Sequence, residues 1–176
     1  DIAKNNYRDK VSVVFSAGDI DLDGDTDLFI SQFIGKNNTS KQFIFSNEKG
    51  NYVNNSTKSK IAHNSKDIYS KFSDYNNDGF LDLFIINSKG NMIYENLGDE
   101  VFKLNDNFSF SDFKSKKGIF IDFDIEGDLD LVLFGDNKIK IFQNNSDGTY
   151  KKIKKNIGLD TSNIGEKLIA HADFND

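Results

Sequence analysis

The stretch that decides the fold reads Asp74-Tyr75-Asn76-Asn77-Asp78-Gly79-Phe80-Leu81-Asp82. It places oxygen-bearing side chains at its first, third, fifth and ninth positions and glycine at its sixth. The same frame recurs at Asp19–Asp27 and Asp122–Asp130, and a fourth copy starts at Asp173. The four copies begin at residues 19, 74, 122 and 173. A period of about 50 residues indicates a repeat architecture.

The flanks of the loops repeat as well. In the second repeat, Ile68–Phe72 precedes the loop, Leu83–Ile86 follows it, a third run ends at Asn96, and Phe102 opens a fourth. The equivalent residues are Val11–Phe15, Leu28–Ile30, Asn47 and Tyr52 in the first repeat, Ile119–Ile121, Leu131–Phe134, Asn144 and Tyr150 in the third, and Leu168–Ala170 in the fourth. Because the runs after the loops are continuously apolar, they predict strands that are buried on both faces.

Each unit is therefore predicted to be a sheet of four short strands. A small sheet with two apolar faces must stack against copies of itself. This pattern predicts an all-β fold, a β-propeller fragment of about three four-stranded blades plus the first strand of a fourth. We interpret residues 1–176 as one partial domain with repeats at about 11–60, 66–110, 116–160 and a truncated 166–176. Extra residues near Gly35–Ser40 predict a longer loop on the rim of the first blade.

The repeated loop has the chemistry of a calcium site. Calcium takes roughly 6–8 oxygen ligands, and alternate side chains of a tight loop can supply carboxylate or amide oxygens. Glycine at the sixth position allows the sharp turn, and the seventh residue presents its carbonyl. The predicted side-chain ligands are Asp19, Asp21, Asp23 and Asp27, then Asp74, Asn76, Asp78 and Asp82, then Asp122, Asp124, Glu126 and Asp130. The predicted carbonyl ligands are those of Asp25, Phe80 and Asp128.

Two points stay open at the level of sequence. Glu126 stands where the other loops have Asp, and its longer side chain either reaches the ion or strains the loop. Acidic residues and glycine also favour plain surface turns. Three copies in one frame with matching flanks favour the metal site. The loop at Asp173 stops at Asp176 and lacks its later positions.

The units resemble the FG-GAP or VCBS-type repeats of the integrin-α-like β-propeller, most clearly over Asp74–Phe102. The resemblance implies a propeller that is commonly seven-bladed, with a calcium loop joining the first two strands of each blade and the same side-chain ligands. Only Phe15-Ser16-Ala17-Gly18 is similar to the aromatic and glycine approach of that family. This departure weakens a specific link to integrins.

Other calcium-loop families fit less well. An EF-hand requires Glu at the twelfth position between two helices, whereas this chain has Ile30, Ile85 and Leu133 there. Dockerin modules follow a similar loop with a helix, and thrombospondin-type repeats are shorter and contain Cys. Neither pattern suits loops that are flanked by strand-forming runs.

Composition narrows the function. The net charge of −6 argues against a nucleic-acid partner, the absence of Cys excludes thiolate chemistry, and no apolar run approaches the length of a membrane span. The only histidines are His63 and His171, and no Ser–His–acid motif is recognisable. We therefore expect a non-catalytic calcium-binding module. The resemblance to FG-GAP or VCBS-type repeats implies a location outside the cell, in the periplasm or on the cell surface.

Its expected partners are a protein or glycan ligand of an adhesion type and the missing blades of the same chain. One alternative is the propeller portion of a larger secreted enzyme that acts on polysaccharide or lipid. Another is a purely architectural stalk.

Overall fold

A computed structural model describes residues 11–34, 39–108, 113–135, 138–147 and 149–153. Within these residues the chain forms three antiparallel sheets of four strands, each with its strands in chain order. The first sheet consists of β1 (Val11–Gly18), β2 (Asp27–Ile34), β3 (Ser40–Glu48) and β4 (Asn51–Asn54). The second consists of β5 (Asp67–Ser73), β6 (Asp82–Asn87), β7 (Gly90–Asn96) and β8 (Phe102–Leu104). The third consists of β9 (Lys117–Ile121), β10 (Asp130–Gly135), β11 (Lys138–Asn144) and β12 (Tyr150–Lys152).

Helical structure is scarce in this part of the chain. The short helix α1 (Ser56–Ser59) follows the first sheet. No helix among the described residues is long and apolar enough to cross a membrane. The predicted strand at Leu168–Ala170 and most of the predicted rim loop lie outside the described residues.

The sheets stack face to face through two apolar clusters. One cluster joins the first and second sheets and includes Phe29, Ile44, Leu83 and Ile85. The other joins the second and third sheets and includes Phe84, Ile86, Phe120, Leu131 and Leu133. Neighbouring residues of β6 thus point into different clusters, because successive side chains of a strand face opposite sides of the sheet. The predicted all-β fold of stacked four-stranded blades is confirmed.

The first strands of neighbouring sheets approach closely. The hydroxyls of Ser16 in β1 and Ser70 in β5 are 2.7 Å apart. At Gly118 in β9, a Cβ atom would lie 2.7 Å from the ring of Phe84. The close contacts of β1 with β5 and of β9 with β6 match sheets that stack as the blades of a propeller do.

The expectation of burial on both faces is correct for β6 but wrong for β2. All six residues of β6 are buried. In β2, Phe29 and Phe33 are buried, whereas Leu28 and Ile30 on the other face are only half-buried. The reason is position in the stack: β6 lies in the middle sheet, whereas the described residues place no sheet against the outer face of β2. Local sequence cannot distinguish these cases, because both strands are equally apolar.

Candidate metal centres

Each of the three loops joins the first two strands of a sheet and is wound around its first aspartate. The carboxylate of Asp74 accepts hydrogen bonds from the backbone N–H groups of Asp78 at 3.0 Å and Gly79 at 2.9 Å. Asp19 and Asp122 accept the equivalent pairs of bonds, at 3.2 and 3.0 Å in each loop. The three sequence copies therefore fold into one geometry.

Two positions of the loop have positive φ. The glycine at the sixth position has φ near +90° in every loop, as Gly79 does at +91°. The fourth position is also left-handed, at Leu22 (φ 63°), Asn77 (φ 57°) and Ile125 (φ 62°). Asn tolerates this conformation, whereas a β-branched residue such as Ile125 is strained in it. The sequence alone does not predict the left-handed backbone at the fourth position, although an asparagine there, Asn77, is typical of that conformation.

The ninth residue of each loop is a buried acid. Asp27, Asp82 and Asp130 are at most 1% exposed. Each accepts a hydrogen bond at 2.8 Å from the backbone N–H of an asparagine at or next to the end of the third strand, namely Asn47, Asn96 or Asn144. The second oxygens of Asp27 and Asp130 accept bonds from the second residue of the loop, Ile20 N–H at 2.9 Å and Phe123 N–H at 3.3 Å. These acids thus connect the loop to the sheet.

Side chains from separate positions converge on one point in two loops. Carboxylate oxygens of Asp19, Asp21 and Asp27 lie within 4.8 Å of one another, as do those of Asp122, Asp124 and Asp130. In the second loop the third position is Asn76, whose side-chain oxygen accepts a hydrogen bond from Asp78 N–H at 3.2 Å. In the first loop, the carboxylate of Asp21 accepts the equivalent bond from Asp23 N–H at 3.3 Å. The third position of the second loop therefore takes the same backbone contact with an amide oxygen in place of a carboxylate.

The electrostatics of these sites fit a cation. Burial raises the pKa of Asp82 from 3.8 to about 7, with added repulsion from Asp78 and Asp74. Burial also raises the pKa values of Asp27 and Asp130. The Tyr75 N–H faces the second oxygen of Asp82 without reaching hydrogen-bond geometry. Among the residues that the structure describes, neither this oxygen nor Oδ1 of Asp124 has a hydrogen-bond partner. A bound cation would satisfy such oxygens and favour their ionised form.

The remaining predicted ligands lie in the loops but take other contacts. At the fifth position, Asp23 and Asp78 accept bonds from the backbone two residues on, at 2.8 and 2.9 Å. They stand outside the groups that converge within 4.8 Å, as does Glu126. The seventh residues contact the turn after the third strand: Asp25 accepts from Lys49 N–H at 2.9 Å, Asp128 from the Ser146 hydroxyl, and Phe80 packs on Gly98. No observation tests which of these residues bind metal, and the ligand sets stay predictions.

Sequence reasoning missed a set of residues around the loops. The asparagines that end the third strands, Asn96 and Asn144, donate from their side chains to two loops at once. The sequence signal is present, because an asparagine stands at or next to the end of this strand in the three described sheets. Glu100, which is 3% exposed, adds negative charge near the first loop and is held by Asn55 at 3.0 Å and Lys58 at 3.1 Å.

His63 belongs to a buried polar cluster between the first two sheets. Its Nδ1 lies 2.8 Å from the hydroxyl of Ser65, and its Nε2 lies 3.4 Å from Oδ1 of Asp67. The other oxygen of Asp67 accepts bonds from Ser31 and Gln42 at 2.5 and 3.2 Å. Burial lowers the pKa of His63, although Asp67 opposes the shift. Sequence had revealed no Ser–His–acid motif. The fold brings Ser65, His63 and Asp67 together, but the Ser65 side chain is only 2% exposed and a substrate could not reach it. This cluster therefore favours a structural role. His171 lies outside the described residues.

Comparisons with known proteins agree with this geometry. Residues 74–132 match the model of the FG-GAP-like repeat. Among solved structures, the chain is similar to a lectin of Agrocybe aegerita that is described as recognising non-reducing terminal N-acetylglucosamine. The TM-score is 0.59 at 19% identity, over 84% of this chain and 40% of the lectin, so the chain spans less than half of that lectin. The comparison with curated proteins gives no match. Residues 74–132 of this chain therefore carry an FG-GAP-like repeat, within four-stranded sheets that stack as the blades of a propeller do.

Proposed function

We propose that this protein is a non-catalytic, calcium-binding propeller module that binds a glycan or protein outside the cell or at its surface. The observation that carries the proposal is the convergence of buried and half-buried acids in loops of one geometry, with an unpartnered oxygen on Asp82 and on Asp124. Hard carboxylate and carbonyl oxygens are the ligands that calcium prefers. Extracellular calcium is millimolar, which suits sites of modest affinity.

The ion would act on the fold through the acid at the ninth position. Calcium would supply positive charge to a carboxylate that burial otherwise disfavours. That carboxylate also accepts the N–H at the end of the third strand, as in the bond from Asn96 to Asp82 at 2.8 Å. Ordering the loop therefore also orders the hairpin behind it, and a rigid blade presents its surface to a ligand at a lower entropic cost.

A glycan is the ligand that the structure favours. A cavity of about 600 Å³ lies between β3 and the segment 61–64, lined by Thr39, Gln42, Phe43, His63 and Asn64 among others. Amide and hydroxyl groups beside an aromatic ring suit the alternating polar and apolar faces of a sugar. The structural likeness to a lectin supports the same reading. The alternative, a propeller portion of a larger secreted enzyme, would place the catalytic residues in another domain.

Calorimetry and thermal unfolding of the chelator-treated chain test the calcium part. We expect calcium to release binding heat and raise the melting temperature, whereas the D23A/D78A double variant loses most of both effects. Asp106→Ala, at an exposed acid outside the loops, is the matched control and should behave as the wild type. No calcium heat and no shift in melting temperature in the wild type would overturn the calcium site.

A glycan array probed with calcium and with chelator tests the ligand part. Binding that Gln42→Ala weakens and that needs calcium is the expected result. An array that stays blank in both conditions would rule out the glycan reading and leave a protein ligand or a stalk.

A further inference from the structure

Asn96 lies between two candidate calcium loops and contacts both. Its backbone N–H donates to Asp82, the last acid of the second loop, at 2.8 Å. Its side-chain amide donates to the carbonyl of Leu81, next to that acid, at 3.3 Å. The same amide reaches the carbonyl of Ile20 in the first loop at 2.7 Å, 76 residues earlier in the chain. Ile20 stands between the predicted ligands Asp19 and Asp21.

Asn144 repeats this arrangement one sheet further on. Its backbone N–H donates to Asp130 of the third loop at 2.8 Å. Its amide donates to the carbonyls of Leu129 in the same loop and Tyr75 in the second loop, both at 3.2 Å. Since the contacts recur at equivalent atoms, the connection belongs to the repeat rather than to one local sequence.

A further bond joins the second and third loops at their tips. The side-chain amide of Asn77 donates to the carbonyl of Gly127 at 2.9 Å. Gly127 is the residue whose N–H binds Asp122, the first ligand of the third loop. The second loop is therefore connected to the third by two independent contacts and to the first by the Asn96 amide.

We propose that Asn96 and Asn144 are positioning residues that couple neighbouring calcium loops, so that calcium at one loop raises the affinity of the next. The inference rests on the proposed calcium binding. An ion that fixes Asp82 also fixes Asn96, because the Asn96 N–H binds that carboxylate. A fixed Asn96 then holds the Ile20 carbonyl, so the first loop loses less conformational freedom when it binds its own ion. A cost of ordering shared by two sites produces positive cooperativity.

The expected size of the coupling follows from the contact that transmits it. One hydrogen bond between neutral groups contributes about 1 kcal/mol, which corresponds to about a five-fold change in affinity. The coupling between the first and second loops should be of about this size. The coupling between the second and third loops should be larger, because the Asn77 bond adds to the Asn144 bonds.

Each loop can be followed separately by its glycine amide in a ¹⁵N–¹H NMR titration of the full chain with calcium. The N–H groups of Gly24, Gly79 and Gly127 bind the first carboxylate of their loops at 3.0, 2.9 and 3.0 Å. Asp78→Asn weakens the second loop alone, at an exposed position. If the loops are coupled, this variant raises the half-saturating calcium concentration at Gly24 about five-fold, although every ligand of the first loop is intact.

Asn96→Ala completes the test. In the Asn96→Ala background, Asp78→Asn should no longer affect Gly24, while its effect on Gly127 should persist. Asn47→Ala is the matched control. Asn47 stands one residue before the end of β3, and its side chain accepts from Gly50 N–H at 2.7 Å, as that of Asn96 accepts from Gly98 N–H at 3.0 Å. In the part of the chain that the structure describes, no earlier loop stands next to Asn47, so its variant should keep the coupling.

The outcomes separate this inference from the proposed function. If Asp78→Asn leaves the Gly24 and Gly127 titrations unchanged while the wild type binds calcium, the coupling is refuted and the calcium sites stand. If no glycine amide of the wild type responds to calcium, the proposed calcium binding itself fails. Should Asn96→Ala lose the dispersed spectrum of a folded chain, the Asp78→Asn arm decides alone.

Discussion

Asp82→Asn should stabilise the calcium-free protein at slightly alkaline pH, although it removes a predicted ligand. Asp82 is 1% exposed, and one of its oxygens has no hydrogen-bond partner within the described part of the chain. Its pKa of about 7 in the fold, against 3.8 for the ordinary side chain, corresponds to about 4 kcal/mol in favour of the neutral form. Asparagine is neutral and retains the acceptor for the Asn96 N–H.

The net effect follows from two opposing terms. Because the folded chain binds this proton more tightly than the unfolded chain, the stability of the calcium-free wild type falls as pH rises from about 4 to about 7. Asparagine avoids this loss but buries an amide N–H₂ that faces the Tyr75 N–H, another donor, which costs about 1–3 kcal/mol. We therefore expect Asp82→Asn to exceed the wild type by about 1–3 kcal/mol near pH 8 and to have no advantage near pH 5.

Urea unfolding followed by circular dichroism, in chelator and then in calcium, measures this difference. In calcium the order should reverse, because only the wild type gains from the ion. Asp27→Asn is the matched control: both oxygens of Asp27 accept backbone bonds, so an amide there must break one and brings no gain. A calcium-free Asp82→Asn protein that is less stable than the wild type near pH 8 would refute the reasoning.

Two further predictions concern exposed residues. Ile125 is 90% exposed at φ 62°, where the second loop has Asn77, so Ile125→Asn should raise stability by about 1 kcal/mol in chemical unfolding; an unchanged midpoint would argue against strain. Phe15 and Val13 are 69% and 53% exposed on the outer face of the first sheet, so we expect the chain to self-associate and Phe15→Ser to shift it toward monomer in light scattering. A wild type that stays monomeric at all concentrations would contradict this.

The elements that sequence predicted well are those in which one short segment carries all the information. The loop at Asp74–Asp82 contains its own turn residues, its glycine and its strand boundary, so three copies in one frame were sufficient to locate the blades. The third strand was equally visible, since it ends at Asn96 and Asn144 in two sheets and one residue after Asn47 in the first. In these regions the local sequence alone specifies the loop and the strands beside it, so the repeat period is enough to find them.

The elements that sequence missed depend on neighbours far along the chain. Nothing local to Asn96 indicates that its amide reaches Ile20 in the preceding loop. Likewise, Asp67 meets Ser31 and His63 only because two sheets stack. The seventh loop position was assigned to the metal through its carbonyl, while the role of its side chain against the following turn became visible only in the folded blade.

The acid at the ninth position links cation binding at the candidate site to the stability of the blade. Asp82 closes the loop, accepts the N–H at the end of the third strand and sits beside an apolar core residue, Leu83. A buried carboxylate in this place destabilises the blade unless a proton or a cation neutralises it. Near neutral pH the proton is only partly available, because the pKa of Asp82 is about 7. The free energy of unfolding of the blade should therefore rise with the concentration of the cation. Millimolar calcium would stabilise the stacked sheets, and a calcium-poor environment would leave them less stable.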